Sequence, residues 1–198
     1  MIISKRKVLE KLLSAQDRKP NRLGGYDYSL AGYYFVTICT KGHRDHFGAA
    51  AGGKMHLNKT GILAKHFWLT IPEHYSGVRL DEFAIMPDHI HGILIIECES
   101  SAIGNVGTEH CSVPTVTRFP NGKHRHYGLL SKIVKSYKNE LTNAIKSIPN
   151  TAYFSWQRSF YDRVIRDDEE LKNIRSYINQ NPLKWEINRL QNSAGNPG

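Results

Sequence analysis

Two histidines separated by one isoleucine, His89-Ile90-His91, sit inside the apolar run Phe83–Ile96 (FAIMPDHIHGILII). A β-branched run of this kind reads as a buried strand. Side chains two apart on a strand share a face, so His89 and His91 project together while Ile90 points into a core on the other side. Paired imidazoles on one face suit a divalent metal, and burying them without partners would be costly. The chain holds ten histidines, so such pairs also arise by chance. His124 and His126 form one, but they lie among Lys123 and Arg125 in a polar stretch with no scaffold, and read as solvated or phosphate-facing.

Known sites built on this spacing can be separated. A metallo-β-lactamase-type site wants an aspartate two residues after the second histidine, where this chain has Ile93. An amidohydrolase barrel needs roughly 250 residues, and this chain has 198. A metal on His89 and His91 must therefore take another ligand from elsewhere in the chain. Tyrosines on helices after the histidine pair are candidate nucleophiles, and residues four apart share a helix face. Tyr137 has Leu141 at that spacing and lies on an apolar stripe, so it reads as core. Tyr177 lies on a polar helix with Asn181 at that spacing, and an amide oxygen can bind a cation. On these grounds alone, packing and chemistry are equal readings for Tyr177.

Several elements must position these groups. Tyr33 to Thr40 (YYFVTICT) is a strand by its aromatic and β-branched content. Residues 54–58 add a short strand, and Thr60 to about Ile71 is helical, stopped by Pro72. Val78 to Met86 and Asp88 to Glu97 form a hairpin across Pro87-Asp88. Cys98 to Gly122 is a long polar loop, disordered or functional. Tyr127 to Ile148 is an amphipathic helix. Tyr161 to Arg166 is a strand, and Asp167 or Asp168 caps a helix that ends before Pro182. Leu183 to Leu190 is a further short helix, and Asn192 to Gly198 is disordered. This order predicts an α+β, ferredoxin-like antiparallel sheet with helices on one face. The expected organisation is a basic N-terminal extension over 1–30, a catalytic domain over 31–185 with the loop 98–122, and a tail over 186–198.

The net charge is +9 and the isoelectric point about 9.5. Nucleic acid is the first candidate partner for such a chain. The charge is uneven: residues 1–25 carry seven Lys/Arg against two acids, and Arg118 to Lys138 carries six with no acid. Candidate phosphate contacts are Lys5, Arg6 and Lys7, Arg125, and the row Lys132, Lys135, Lys138. Three cysteines without a pairing pattern fit a reducing cytoplasm. No run of about 18 apolar residues predicts a membrane span.

With those residues in hand, MPDHIHGILII resembles the histidine pair of the HUH single-strand transposases. Trp156 to Arg166 (WQRSFYDRVIR) and Tyr177 to Pro182 (YINQNP) resemble the closing signature of the REP-associated tyrosine transposases, and YYFVTICT resembles their opening strand. The resemblance runs from about Tyr33 to Trp185. It implies His89 and His91 as metal ligands, Tyr177 as nucleophile, and Asn181 as third ligand, where insertion-sequence relatives carry glutamine. It implies one Mg²⁺ or Mn²⁺, cleavage and rejoining of single-stranded DNA beside palindromic hairpins, and a monomer in preference to a dimer. A non-catalytic nucleic-acid-binding protein of the same fold is one alternative. A replication-type nickase is the other.

Overall fold

The computed structural model describes residues 26–28, 30–97, 128–148 and 153–194. Residues 1–25 of the expected N-terminal extension, the loop 98–122, and with them Lys5, Arg6, Lys7 and Arg125, lie outside the described residues. Four strands make one antiparallel sheet: β1 (Gly32–Cys39), β4 (Val78–Ile85), β5 (His89–Ile96) and β6 (Tyr161–Ile165), in the order β4-β5-β1-β6. A separate hairpin pairs β2 (Gly48–Ala51) with β3 (Lys54–Leu57). Both glycines of its turn take left-handed φ, 59° at Gly52 and 68° at Gly53, as a two-residue turn of this hand requires. The helices are α1 (Lys59–Leu69), α2 (Ile71–His74), α3 (Leu129–Lys146) and α4 (Asp168–Ala194). Omitting the small hairpin, the chain runs β-α-β-β-α-β with β1 between β5 and β6, the α+β ferredoxin-like arrangement.

The two faces of the sheet are distinct. Tyr34, Val36 and Ile38 of β1 and Ile90 and Leu94 of β5 face α1 and α3, where Trp68, Ile133, Tyr137 and Leu141 close the main core. Gly92 leaves room there for the Trp68 indole: a Cβ on Gly92 would sit 2.2 Å from Trp68 Cζ2. The opposite face is covered by α4, whose Leu171, Ile174 and Ile178 pack on Ile93, Ile165, Tyr33 and Phe35. The sequence reading put the helices on one face; α1 and α3 lie there, whereas α4 covers the other, because Leu171, Ile174 and Ile178 find their apolar partners on that side.

Helix α4 also corrects an expectation. It does not stop before Pro182 but runs through it to Ala194, past the expected boundary at 185/186 and into the segment expected to be disordered. Proline removes the bond to the Ile178 carbonyl and strains the helix by about 3 kcal/mol. Contacts beyond it hold the helix together. Glu186 accepts from the Gly52 and Gly53 amides at 3.1 and 2.8 Å, and Arg189 pairs with Asp45 at 2.6 Å. At the other end Asp167 caps α4, its Oδ1 accepting from the Glu170 amide at 2.7 Å. Between the ends, Arg175 grips Asp81 in a two-pronged pair.

Candidate active site

The strand period delivers both imidazoles to the α4 face. His89 is 8% exposed and His91 5%, and their Nε2 atoms lie 3.0 Å apart. Their cross-strand partners on β1 are Cys39 and Thr37. Thr37 Oγ1 is 2.8 Å from His91 Nδ1. Asp88, 1% exposed, holds His89 Nδ1 through Oδ1 at 2.5 Å. Its Oδ2 is 2.7 Å from His43 Nδ1. Burial alone would raise the Asp88 carboxyl, but hydrogen bonds and charge from His89 and His43 outweigh it and hold it below the ordinary range. Burial, aided by His89, pushes the His91 pKa down to about 3 against the opposing pull of Asp88. His91 is therefore a neutral imidazole at physiological pH, the form that binds metal.

Helix α4 brings the remaining groups. Tyr177 is 41% exposed, and its hydroxyl lies 3.3 Å from His91 Nε2. Phe35 braces both rings, stacked on His91 at 5.4 Å and edge-on to Tyr177 at 6.2 Å. One turn on, Asn181 is buried, 7% exposed. A further turn on, the Trp185 ring lies 5.4 Å from that of His89. Its indole N–H is buried with no partner among the described residues. The ammonium of Lys184 sits 5.6 Å over the Tyr177 ring.

Tyr137 is excluded from this site. It is 2% exposed in the core on the far face. Its hydroxyl donates to the Ala64 carbonyl at 3.0 Å, and burial drives its pKa well above the ordinary range.

The donor set fits a cation. Two nitrogens bound at about 2.1 Å and at roughly right angles stand about 3.0 Å apart, the separation found here. With Asp88 taking the proton of His89 Nδ1, and Thr37 able to accept from His91 Nδ1, both Nε2 atoms are left unprotonated and able to bind a cation. Among the described residues no group of three or more His, Cys, Asp or Glu is placed to hold a metal.

The lysine row does not join this site. Lys132 and Lys135 are exposed on α3, across the sheet from Tyr177. Lys138 turns inward, donating to the Gln157 and Ser159 carbonyls at 3.0 and 3.1 Å. Its expected place in an exposed phosphate-binding row is therefore corrected: helix α3 at that turn faces the segment leading into β6. Sequence reasoning missed Thr37, Asp88, His43, Trp185 and Lys184. The adjacency of Asp88 to His89 and the four-residue spacing of Tyr177, Asn181 and Trp185 were available as signals. Thr37 and His43 come from distant stretches and gave none.

An antiparallel α+β sheet with a histidine pair under a tyrosine-bearing helix is the class that fold and site define. No family model matches the chain. A protein of Haemophilus influenzae, described as uncharacterized, is 36% identical over 178 residues, covering 87% of this chain and 92% of that protein. The chain belongs to the same family as that protein. Among solved structures, a REP-associated tyrosine transposase bound to a REP hairpin shares the fold, with a TM-score of 0.50 and 16% identity over 84% of this chain and 74% of that one.

Proposed function

We propose that this protein is a metal-dependent single-strand DNA transposase or endonuclease of the REP-associated tyrosine type, acting beside palindromic hairpins. The observation that carries the proposal is the Tyr177 hydroxyl 3.3 Å from His91 Nε2, with the two imidazole Nε2 atoms 3.0 Å apart beneath it. The likeness in fold to a transposase solved on a REP hairpin supports hairpin DNA as the partner, as does the net charge of +9.

His89, His91 and Asn181 would hold one Mg²⁺ or Mn²⁺, which would polarise the phosphate and offset its developing charge. Tyr177 supplies the nucleophile. Its oxygen forms a bond to the scissile phosphorus as the bond to the upstream 3′-oxygen breaks. The phenol proton departs and the leaving oxygen takes one up, giving a 5′-phosphotyrosine link and a free 3′-hydroxyl. Attack by a second 3′-hydroxyl reverses the exchange and rejoins strands without ATP. Phe35 orients the tyrosine and His91 together. Lys184, 5.6 Å over the Tyr177 ring, is a cation placed for a phosphate at Tyr177, whereas Lys132 and Lys135 can serve only DNA that continues to the other side of the sheet. Lys5, Arg6, Lys7 and Arg125 remain candidates for the same role.

Adduct trapping tests the proposal. The protein is incubated with labelled single-stranded hairpin DNA in Mn²⁺ or EDTA and run on denaturing gels, with Tyr177→Phe and Tyr137→Phe alongside. The expected result is a metal-dependent covalent band lost only in Tyr177→Phe. A band lost only in Tyr137→Phe would overturn the nucleophile. Salt-sensitive binding with no band on any hairpin would point to a non-catalytic nucleic-acid-binding protein.

A further inference from the structure

A chain of hydrogen bonds leads away from the histidine pair to the protein surface. Asp88 Oδ2 is 2.7 Å from His43 Nδ1, and His43 Nε2 is 2.9 Å from the Gln157 side-chain nitrogen. The directions are consistent. The Gln157 amide N–H donates to His43 Nε2, so the proton of a neutral His43 is on Nδ1 and donates to Asp88. Asp88 then accepts from both imidazoles, and His89 must carry its proton on Nδ1 and present a bare Nε2 to His91.

The scaffold around this chain is built to hold it. His43 takes φ 51°, the left-handed conformation, and is the non-glycine residue that does so among those described. It closes a short 3₁₀ turn, Lys41–His43, that contains Gly42 at φ 70°. That turn is tied to the tip of the β4–β5 hairpin, since the Thr40 amide donates to the Asp88 carbonyl at 2.8 Å and the His46 and Phe47 amides donate to the Pro87 carbonyl at 2.8 and 3.0 Å. Gln157 is anchored by its backbone. Its amide donates to the Cys39 carbonyl at 2.9 Å, and its carbonyl accepts from Lys138. The side-chain amide is therefore spare as far as folding is concerned, and it is directed at His43, whose side chain is 61% exposed. A strained backbone that aims an exposed imidazole at a buried carboxylate is conformational cost spent away from the core.

We propose that His43 and Gln157 are positioning residues for the metal-binding imidazoles: through Asp88 they fix the tautomer and aim of His89. This rests on the metal-site reading above, and it deepens that reading by assigning Gln157 of the closing signature a part in the site. Outer partners of metal-bound histidines typically change affinity by about 10–100-fold when removed.

The test uses the full-length protein and two readouts. Long-range ¹⁵N–¹H imidazole spectra of the metal-free protein report which nitrogen of His89 carries the proton. Titration with Mn²⁺ alone, followed by electron paramagnetic resonance, reports affinity without DNA or activity. The variants are Gln157→Leu, His43→Leu and His43→Asn, the last keeping a donor near the place of Nδ1 and tolerating the left-handed backbone. The expected result is an Nδ1–H tautomer in wild type, a mixed tautomer in both leucine variants, Mn²⁺ affinity lowered about tenfold in His43→Leu, and recovery of most of it in His43→Asn. A wild-type tautomer and wild-type affinity in both leucine variants would overturn the proposal. If wild type itself binds no Mn²⁺, the metal reading fails. The tautomer comparison then decides the positioning role on its own.

Discussion

Gly92→Ala is a small change with a worked consequence. The added Cβ would meet Trp68 Cζ2 at 2.2 Å, Cη2 at 2.9 Å and Cε2 at 3.0 Å, where ordinary contact begins near 3.4 Å. The shortfall is therefore about 1.2 Å at the worst atom. Trp68 cannot swing aside: it is fully buried, edge-on to Tyr137 at 5.5 Å and tilted on Phe83 at 6.2 Å. Overpacking of a filled core costs about 1–3 kcal/mol, and alanine regains roughly 0.5–1 kcal/mol over glycine in a strand. A shortfall this large puts the overpacking cost at the upper end, about 2–3 kcal/mol, so the net loss is about 1–2.5 kcal/mol, which for a chain of this size lowers Tm by roughly 2–10 °C. The cheaper response is for β5 to move away from Trp68, and β5 carries His91 as the preceding residue. A displacement approaching 1 Å in a reacting group costs on the order of 100-fold in rate, so adduct formation should fall further than stability does. The assay is urea unfolding together with single-turnover trapping on a hairpin substrate. In a Trp68→Leu background the same substitution should cost at least 1 kcal/mol less, because the clash is gone. An equal cost in both backgrounds, or a neutral Gly92→Ala, would refute the packing argument.

Three other outcomes are expected. Lys138→Met strips the donor from two carbonyls and should destabilise by about 1–3 kcal/mol in urea unfolding. Burial lowers the Lys138 pKa to about 8 from 10.5, so between those values the unfolded chain holds a proton that the folded chain has lost. Stability should rise with pH across that window by a component absent from the methionine variant. His91, lowered to about 3 from 6.5, has the same sign at lower pH: metal-free stability should fall as pH drops from 6.5 toward 3. The slope should reach up to about 1.4 kcal/mol per pH unit and be missing in His91→Gln. Lys184→Ala should slow adduct formation about tenfold while changing single-strand affinity less, with Lys184→Arg recovering most of the rate. An unchanged rate would remove Lys184 from the site.

Much of the placement of the candidate site's residues was legible because it obeys local periods. The period of two put His89 and His91 on one face, and the helical period put Asn181 one turn after Tyr177 and sent Tyr137 to the core. The strands at 33–40, 78–86 and 88–97 were readable from β-branched residues, each to within a residue or two. Pro182 misled because its penalty is local, whereas Glu186 on the Gly52-Gly53 turn and Arg189 on Asp45 join residues more than 130 positions apart. Lys138 misled for a related reason. Charge spacing gives the direction in which a lysine leaves its helix, but not whether solvent or the Gln157 and Ser159 carbonyls lie there. His43 carried no signal at all, since its place depends on a left-handed turn folded over the tip of a hairpin.

The two faces of the sheet explain how such a site can be carried on a chain of this length. The face toward α1 and α3 holds the large core and contains none of the groups assigned to chemistry. The other face is covered by one helix, with a smaller apolar cluster of Ile93, Ile165, Leu171 and Ile178. On that side α4 is held at Asp167, at Arg175–Asp81 and again at Glu186 and Arg189, so Tyr177 lies between fixed points. That leaves a half-exposed phenol over buried imidazoles with little freedom to drift, which is what near-attack geometry requires. It also separates two kinds of substitution. Changes at Lys184 or Gln157 touch neither core cluster, and Tyr177→Phe keeps the ring on Phe35, so these should alter chemistry with the fold intact. At Gly92 the faces meet through the backbone, because the room taken by Trp68 on one side sets the position of His91 on the other.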